Sequence, residues 1–217
     1  MTSFDQDFSK HAPNDIVPRI RMLWNSIPVQ LARENRKFIY GAVREGSRAK
    51  DYELALSWLI DCGLVYKINR VTKPGLPLVA HEDPGAFKLF VVDVGLLGAM
   101  GDLDARSVID GNRVFEEFKG ALTEQYVLQQ LKTIPGLVFR YWTSDGSKSQ
   151  LDFLVQSVGR IIPVEVKAEG NLKAKSLRIS CAKFAPEIAI RTSMSDFRKE
   201  EWLTNVPLYA IGSYFEH

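Results

Sequence analysis

Apolar residues recur at intervals of three and four through Ile16, Ile20, Leu23 and Ile27, which predicts helix from Asp15 to about Glu34. Pro18 fits only a first turn, so the spacing has Pro28 open a second short helix through Leu31. Residues 1–14 carry no such period and read as a loose lead-in. The clearest helix of this half is "SRAKDYELALSWLIDCGLV", with a wide apolar face and Gly63 where a left-handed cap belongs. Two strands follow, "LVYKINRV" (64–71) and "FKLFVVDV" (87–94). The excursion between them, "TKPGLPLVAHEDPG", holds three prolines and two glycines and reads as exposed. Helices followed by a hairpin with a long connection outline a winged helix. A short helical bridge, "VDVGLLGAM" and "GDLDARSVIDG", leads to about Asn112.

The period changes in the second half. "NRVFEEFKGALTEQYVLQQLKTI" predicts a long helix over 113–133 with Val114, Phe118, Ala121, Leu122 and Leu128 on its stripe. Glu124 lies at the edge of that stripe, with Ala121 at i−3, Leu128 at i+4 and Leu131 at i+7. Strands are predicted at 137–144, 150–156 and 161–168, with a turn at 144–149. A helix in "NLKAKSLRISCAKF", a strand at 187–193 and a last strand at 206–215 complete the chain. A helix between the third and fourth strands lets those two run parallel. The expected class is α/β (α+β overall): a winged-helix-like domain over 1–111, then a mixed sheet flanked by helices over 112–217.

Composition narrows this picture only in places. The 217 residues, 46% apolar, suffice for one large or two small domains with a real core. A net charge of +2 leaves nucleic-acid binding to local clusters. Two cysteines, Cys62 and Cys181, sit in apolar surroundings and read as buried thiols of a reducing compartment. With three scattered histidines they lack the paired spacing of a structural zinc site. No apolar run approaches the ~20 residues of a membrane span, and the polar N-terminus is unlike a signal peptide. A cytoplasmic protein is expected. No G-x-x-x-x-G-K-[ST] loop occurs, so these residues alone should not hydrolyse ATP.

One stretch breaks the apolar logic of the strands. "SQLDFLVQSVGRIIPVEVKAEG" (149–170) reads as a hairpin turning near Gly159, yet it holds Asp152, Glu165 and Lys167. Residues i and i+2 share a strand face, so Glu165 and Lys167 point together. Antiparallel pairing brings Asp152 approximately opposite them. Two close carboxylates repel, and a divalent cation relieves that repulsion. Mg²⁺ takes one or two carboxylates, water and substrate phosphate, and the Val166 carbonyl offers a further oxygen. Lys167 beside such a metal would orient or deprotonate water, or stabilise charge on a phosphate. The same letters also describe an exposed Glu165–Lys167 pair with Asp152 flanking a turn.

Two basic stretches change the picture further. Residues 33–50 carry Arg33, Arg36, Lys37, Arg44, Arg48 and Lys50 against Glu34 and Glu45. They fit phosphate contact, a solvated polar face, or a surface docked on another domain. Lys148, Lys173, Lys175 and Arg178 flank the charged hairpin and could rim a nucleic-acid site.

The second half resembles the PD-(D/E)XK nuclease superfamily. Glu124 in "GALTEQYV" matches its helix acid, Asp152 in "QLDFLV" its strand Asp, and Glu165 and Lys167 in "PVEVKA" its Glu-X-Lys pair. Gln150 is a weaker candidate, and Leu151 stands where proline often precedes the Asp. The chain as a whole resembles the C-terminal region of a prokaryotic family of predicted AAA+-type ATPases. The resemblance lies in "RIRMLWNSIPVQLARENRKFIYGAVREGSRAKDYELALSWLIDCGLV", "KLFVVDVGLLGAM", "FKGALTEQYVLQQL", "YWTSDGSKSQLDFLV" and "IPVEVKAEG". It implies a restriction-endonuclease-like fold, a Mg²⁺ (or Mn²⁺) site at Asp152, Glu165 and Glu124 with catalytic Lys167, DNA as partner, and an ATPase domain that these residues do not contain. It is equally compatible with a non-catalytic regulatory or partner-binding module of the ATPase. A third class, a small-molecule enzyme, lacks any Ser/His/Asp or Cys/His set in sensible context.

Overall fold

Phe8 shows why the N-terminal residues fold although their pattern is faint. In the computed structural model, which describes residues 2–33, 37–111, 113–144, 149–168 and 173–216, a first helix α1 (Thr2–His11) buries Phe8 to 1% exposure. Its ring meets Trp24 and Trp58 edge-on, with centroids 5.6 and 5.8 Å away. The predicted lead-in is therefore a helix, held by one aromatic anchor that a periodicity count cannot weigh. The next helix, α2 (Val17–Leu31), runs unbroken through Pro28. Pro28 forfeits one backbone bond, but only one turn remains beyond it, and the Ala32 N–H still reaches the Pro28 carbonyl at 3.0 Å. Ile20, Leu23 and Ile27 are fully buried, as their spacing requires.

The chain divides into two compact units, Met1–Lys67 with Lys88–Leu122, and Ile68–Phe87 with Thr123–His217. The first unit continues with α3 (Tyr40–Val43) and α4 (Ala49–Asp61). Asp51 caps α4 by accepting the Arg48 N–H at 2.8 Å, and Gly63, at φ 75°, ends it as expected. The hairpin strands are β1 (Val65–Val71) and β2 (Glu82–Val91), followed by α5 (Val94–Met100) and α6 (Ala105–Asp110).

The second unit takes the outer part of that hairpin. Strand β1 pairs in parallel with β3 (Val138–Thr143), with Arg70 beside Tyr141 and Val71 beside Trp142. The predicted excursion is exposed at Thr72, Lys73, Leu76, Pro77, Val79 and Ala80, but it is anchored to this unit at Leu78, which is fully buried and whose N–H donates to Gln156 Oε1 at 2.8 Å. Trp142 Nε1 donates to the Thr72 carbonyl at 3.3 Å. Arg70 binds Asp83, and Arg140 binds Glu82.

The long helix α7 (Arg113–Lys132) precedes β3. Then come β4 (Gln150–Ser157), β5 (Arg160–Val166), α8 (Lys175–Phe184), β6 (Ile190–Ser193), β7 (Arg198–Lys199), β8 (Thr204–Pro207) and α9 (Ile211–Glu216). The protein is mixed α/β, with one mixed sheet of eight strands in the order β2-β1-β3-β4-β5-β6-β8-β7. Strands β5 and β6 are parallel across α8, as the intervening helix predicts. Leu177 of α8 packs with Trp142, Leu151, Leu154, Ala189 and Leu203 in a dry cluster. The last predicted strand is cut short: Pro207 lacks an N–H for the ladder, and the chain turns into α9.

Both cysteines are free thiols, but Cys62 is exposed and Cys181 only half-buried, so neither is the buried thiol expected. Among the described residues no helix is long and apolar enough to cross a membrane.

Candidate functional site

Strand β4 contains an irregularity at the residue of interest. Opposite β3, Arg140 pairs with Leu154 and Trp142 with Leu151, so β4 carries one extra residue between those positions. This explains how Leu151 and Leu154 both join the cluster beneath α8, which strict alternation forbids. Asp152 lies in that bulge, a device that re-aims a side chain and ends regular pairing. On the other side, the β4–β5 register runs from Ser157–Arg160 to Phe153–Val164. One step beyond, the Asp152 side chain takes over: Oδ2 accepts the Val166 N–H at 2.8 Å. Its other oxygen, Oδ1, lies 3.5 Å from Gln150 Nε2. Asp152 and Gln150 are both half-buried.

Glu165 is 5% exposed, flanked by fully buried Val164. Lys167 Nζ lies 2.7 Å from Glu165 Oε1, as two residues on one strand face should. The Lys167 side chain remains 29% exposed, whereas that of Glu165 is 7% exposed. The Lys167 N–H donates to the Thr192 carbonyl at 2.9 Å, which fixes the end of β5 against β6. Asp152, Glu165 and Lys167 thus gather at the open end of the hairpin, and Lys167 pairs with Glu165.

Glu124 is fully buried on α7, as is Gln125. Among the described residues, no group of three or more His, Cys, Asp or Glu side chains is arranged to hold a metal ion. What the hairpin end offers is a pair of hard oxygen donors, Asp152 and Glu165, a set that suits Mg²⁺ completed by water and phosphate.

The expected cations spread over both units. In the first, Arg33, Arg44, Arg48 and Lys50 are exposed and Lys37 is half-buried, while Arg36 lies outside the described residues. All but Lys50, which lies in the first turn of α4, precede that helix. Beyond Lys50, the outward face of α4 shows Asp51, Glu53 and Asp61, with Leu54 69% exposed. In the second, Lys173, Lys175 and Arg178 are exposed along the start of α8, and Lys148 lies outside the described residues.

Sequence reasoning missed Arg191. It is the β6 register partner of Glu165, and it is 3% exposed. Its guanidinium donates to Asn205 Oδ1 at 2.9 Å and binds Glu200 Oε1 at 2.7 Å. Ser193 Oγ shares the same Asn205 oxygen at 2.9 Å, and the Asn205 amide holds the Ser195 and Asp196 carbonyls. A buried guanidinium costs several kcal/mol in lost hydration, and this network offsets it. The signal was present: Arg191 interrupts the apolar run "EIAIRTS" much as Glu165 interrupts "IPVEV".

Compared with known proteins, residues 1–107 match the model of a domain of unknown function, DUF8612. Residues 119–211 match that of a second domain of unknown function, DUF4143. No curated protein matches the chain. Among solved structures, protein VC1899 from Vibrio cholerae is similar over 92% of this chain at 15% identity, with a TM-score of 0.28; the chain spans 50% of that protein's length.

Proposed function

We propose that this chain is the C-terminal portion of an ATPase-associated protein, and that its second unit is a PD-(D/E)XK-like, Mg²⁺-dependent phosphodiesterase acting on DNA. The observation that carries this reading is the open end of the β4–β5 hairpin. There a bulge aims Asp152 at the Val166 N–H, one residue from the Glu165–Lys167 pair. Asp152 and Glu165 would hold the cation, with the Val166 carbonyl beside them and Glu124 as the acid the resemblance adds. Bound there, the cation supplies Lewis acidity and a water acidic enough to react. Lys167 Nζ, partly exposed, serves to hold a proton near that water or to stabilise charge on the phosphate. The Val166 N–H keeps the Asp152 carboxylate oriented. In this reading the first unit is the winged-helix element, and its cations at 33–50 meet phosphates.

A second reading, a non-catalytic module that binds a partner or nucleic acid for the ATPase, is favoured by two observations. Lys167 is already engaged by Glu165, and the outward face of α4 bears three carboxylates. Titration of Mn²⁺ and Mg²⁺ into the wild-type chain and into Glu165→Ala separates the two. Heat that is present in the first and absent in the second supports the metal site and calls for a screen on single- and double-stranded DNA and RNA. No heat with the wild-type chain favours the partner-binding module.

A further inference from the structure

We propose that the second unit carries a base-stacking subsite for single-stranded nucleic acid, in the cavity between α8, β7 and α9. This deepens the phosphodiesterase reading and takes its biological use from it, although the binding stands on separate residues. The cavity is an open cleft of about 750 Å³, within the range of ligand pockets. Its walls include Arg178, Phe197, Lys199, Trp202 and Tyr214.

Three features point to a nucleobase with its phosphate. First, the aromatic surface is available. Phe197 is 59% exposed and Trp202 is half-buried, so a base stacked on either ring removes apolar surface from water. Second, the Arg178 guanidinium already lies over the Trp202 ring, 5.7 Å from its centroid. That arrangement offers a stacking plane and a phosphate-binding cation together. Third, the acids of the wall are engaged elsewhere. Glu200 is held by Arg191 at 2.7 Å, and Glu187 by Arg160 at 3.2 Å. Arg178 and Lys199 then stand against Glu201 alone, a balance that accepts an anion.

The position suits the proposed chemistry. Strand β7 is three strands from β5 in the sheet, or about 14 Å at the usual strand spacing. Lys173, Lys175 and Arg178, all exposed, follow β5 in the chain, and Arg178 lines the cavity. A duplex keeps its base faces stacked, so this subsite selects a single strand.

The test uses a fluorescein-labelled dT12 oligonucleotide, its U12 counterpart and a 12-base-pair duplex, in EDTA with the full chain carrying Asp152→Asn. Either single strand should bind more tightly than the duplex and quench tryptophan fluorescence. Adding Trp202→Ala or Phe197→Ala should weaken binding about tenfold. Trp202→Phe should keep the affinity and abolish the quench. Arg178→Met should lower the salt dependence by about one phosphate contact, a slope change near 0.7. Phe197 is exposed, so its variant folds even if Trp202→Ala does not. The proposal is overturned by no single-strand binding, by equal duplex binding, or by affinity unchanged in both aromatic variants. Cleavage is measured separately, on the Asp152 chain with Mg²⁺. Binding without cleavage sinks the phosphodiesterase and leaves the subsite, and cleavage without Phe197-dependent binding does the reverse.

Discussion

The two ends of the β4–β5 hairpin are made from the same strands and solve opposite problems. At the turn, Val158 and Gly159 both adopt positive φ, 43° and 73°, and Val158 is 97% exposed. Behind them lies an apolar cavity of about 340 Å³ lined by Leu154, Ile161, Pro163, Phe184 and Ile188. Its charged rim is one exposed pair, Arg160–Glu187. At the open end alternation pairs Glu165 with Lys167, while a bulge in β4 and a side-chain-to-backbone bond to Val166 set Asp152 beside that segment. Strain at the turn sits in the backbone and concerns no polar partner. At the open end the backbone irregularity exists to place a carboxylate. Departures from pattern with a chemical beneficiary mark the site better than departures alone.

That contrast can be broken at several points, from large effects to small. Phe153 is fully buried between the two ends and belongs to both. Phe153→Ala should lose about 3–5 kcal/mol in urea unfolding, and a loss well under 1 kcal/mol would contradict the packing described. On the proposed phosphodiesterase reading, Lys167→Ala and Asp152→Asn at the open end should each reduce Mg²⁺-dependent cleavage by about 100-fold or more, with little change in the unfolding midpoint. A large midpoint shift with cleavage retained would make the charges structural. Tyr141, buried beside Arg70 and Asp83, has its phenol pushed well above 10.0, chiefly by desolvation. Its native form keeps the proton that the unfolded chain releases above that pH. Stability should therefore be intact below about pH 10 and fall above it, by up to about 1.4 kcal/mol per pH unit from this group. The same decline measured in Tyr141→Phe should be shallower; identical slopes would exclude the linkage. At the turn, Val158→Asn gives a left-handed position a residue that tolerates it, ahead of Gly159, and should stabilise by about 1 kcal/mol. Thermal melts showing a loss instead would mean that Val158 makes a contact its exposure hides. Last, Arg160→Ala should cost under about 1 kcal/mol, because both partners of its ion pair are more than half exposed.

Strands β1 and β3 to β5, the turn at Gly159 and the long helix α7 were legible from their periods and glycine breaks, whereas β7 was missed and most of the strand expected over 206–215 is helical. The Glu165–Lys167 contact followed from alternation alone. The Asp152 geometry did not: a bulge shifts register by one residue and leaves no mark in "QLDFLV". α1 was hidden because Phe8, buried against Trp24 and Trp58, holds it without leaving a repeating apolar pattern. The excursion over 72–85 is mostly exposed, as its prolines and glycines implied, but turn residues do not reveal that Leu78 is buried within it. Arg191 passed unnoticed because its partners come from later in the chain, Glu200 just after the two-residue β7 and Asn205 on β8, where no local pattern announces them.

The parallel pairing of β1 with β3 has a practical consequence. A fragment starting near residue 112 retains every residue of the charged hairpin but discards the strand that covers β3. The backbone groups of "VFRYWT", rich in aromatics and without proline, would then form a raw sheet edge. Such a fragment should self-associate or express insolubly, and its inactivity would say nothing about the chemistry of Asp152, Glu165 and Lys167. A cut that spares Ile68–Phe87 keeps that edge sealed.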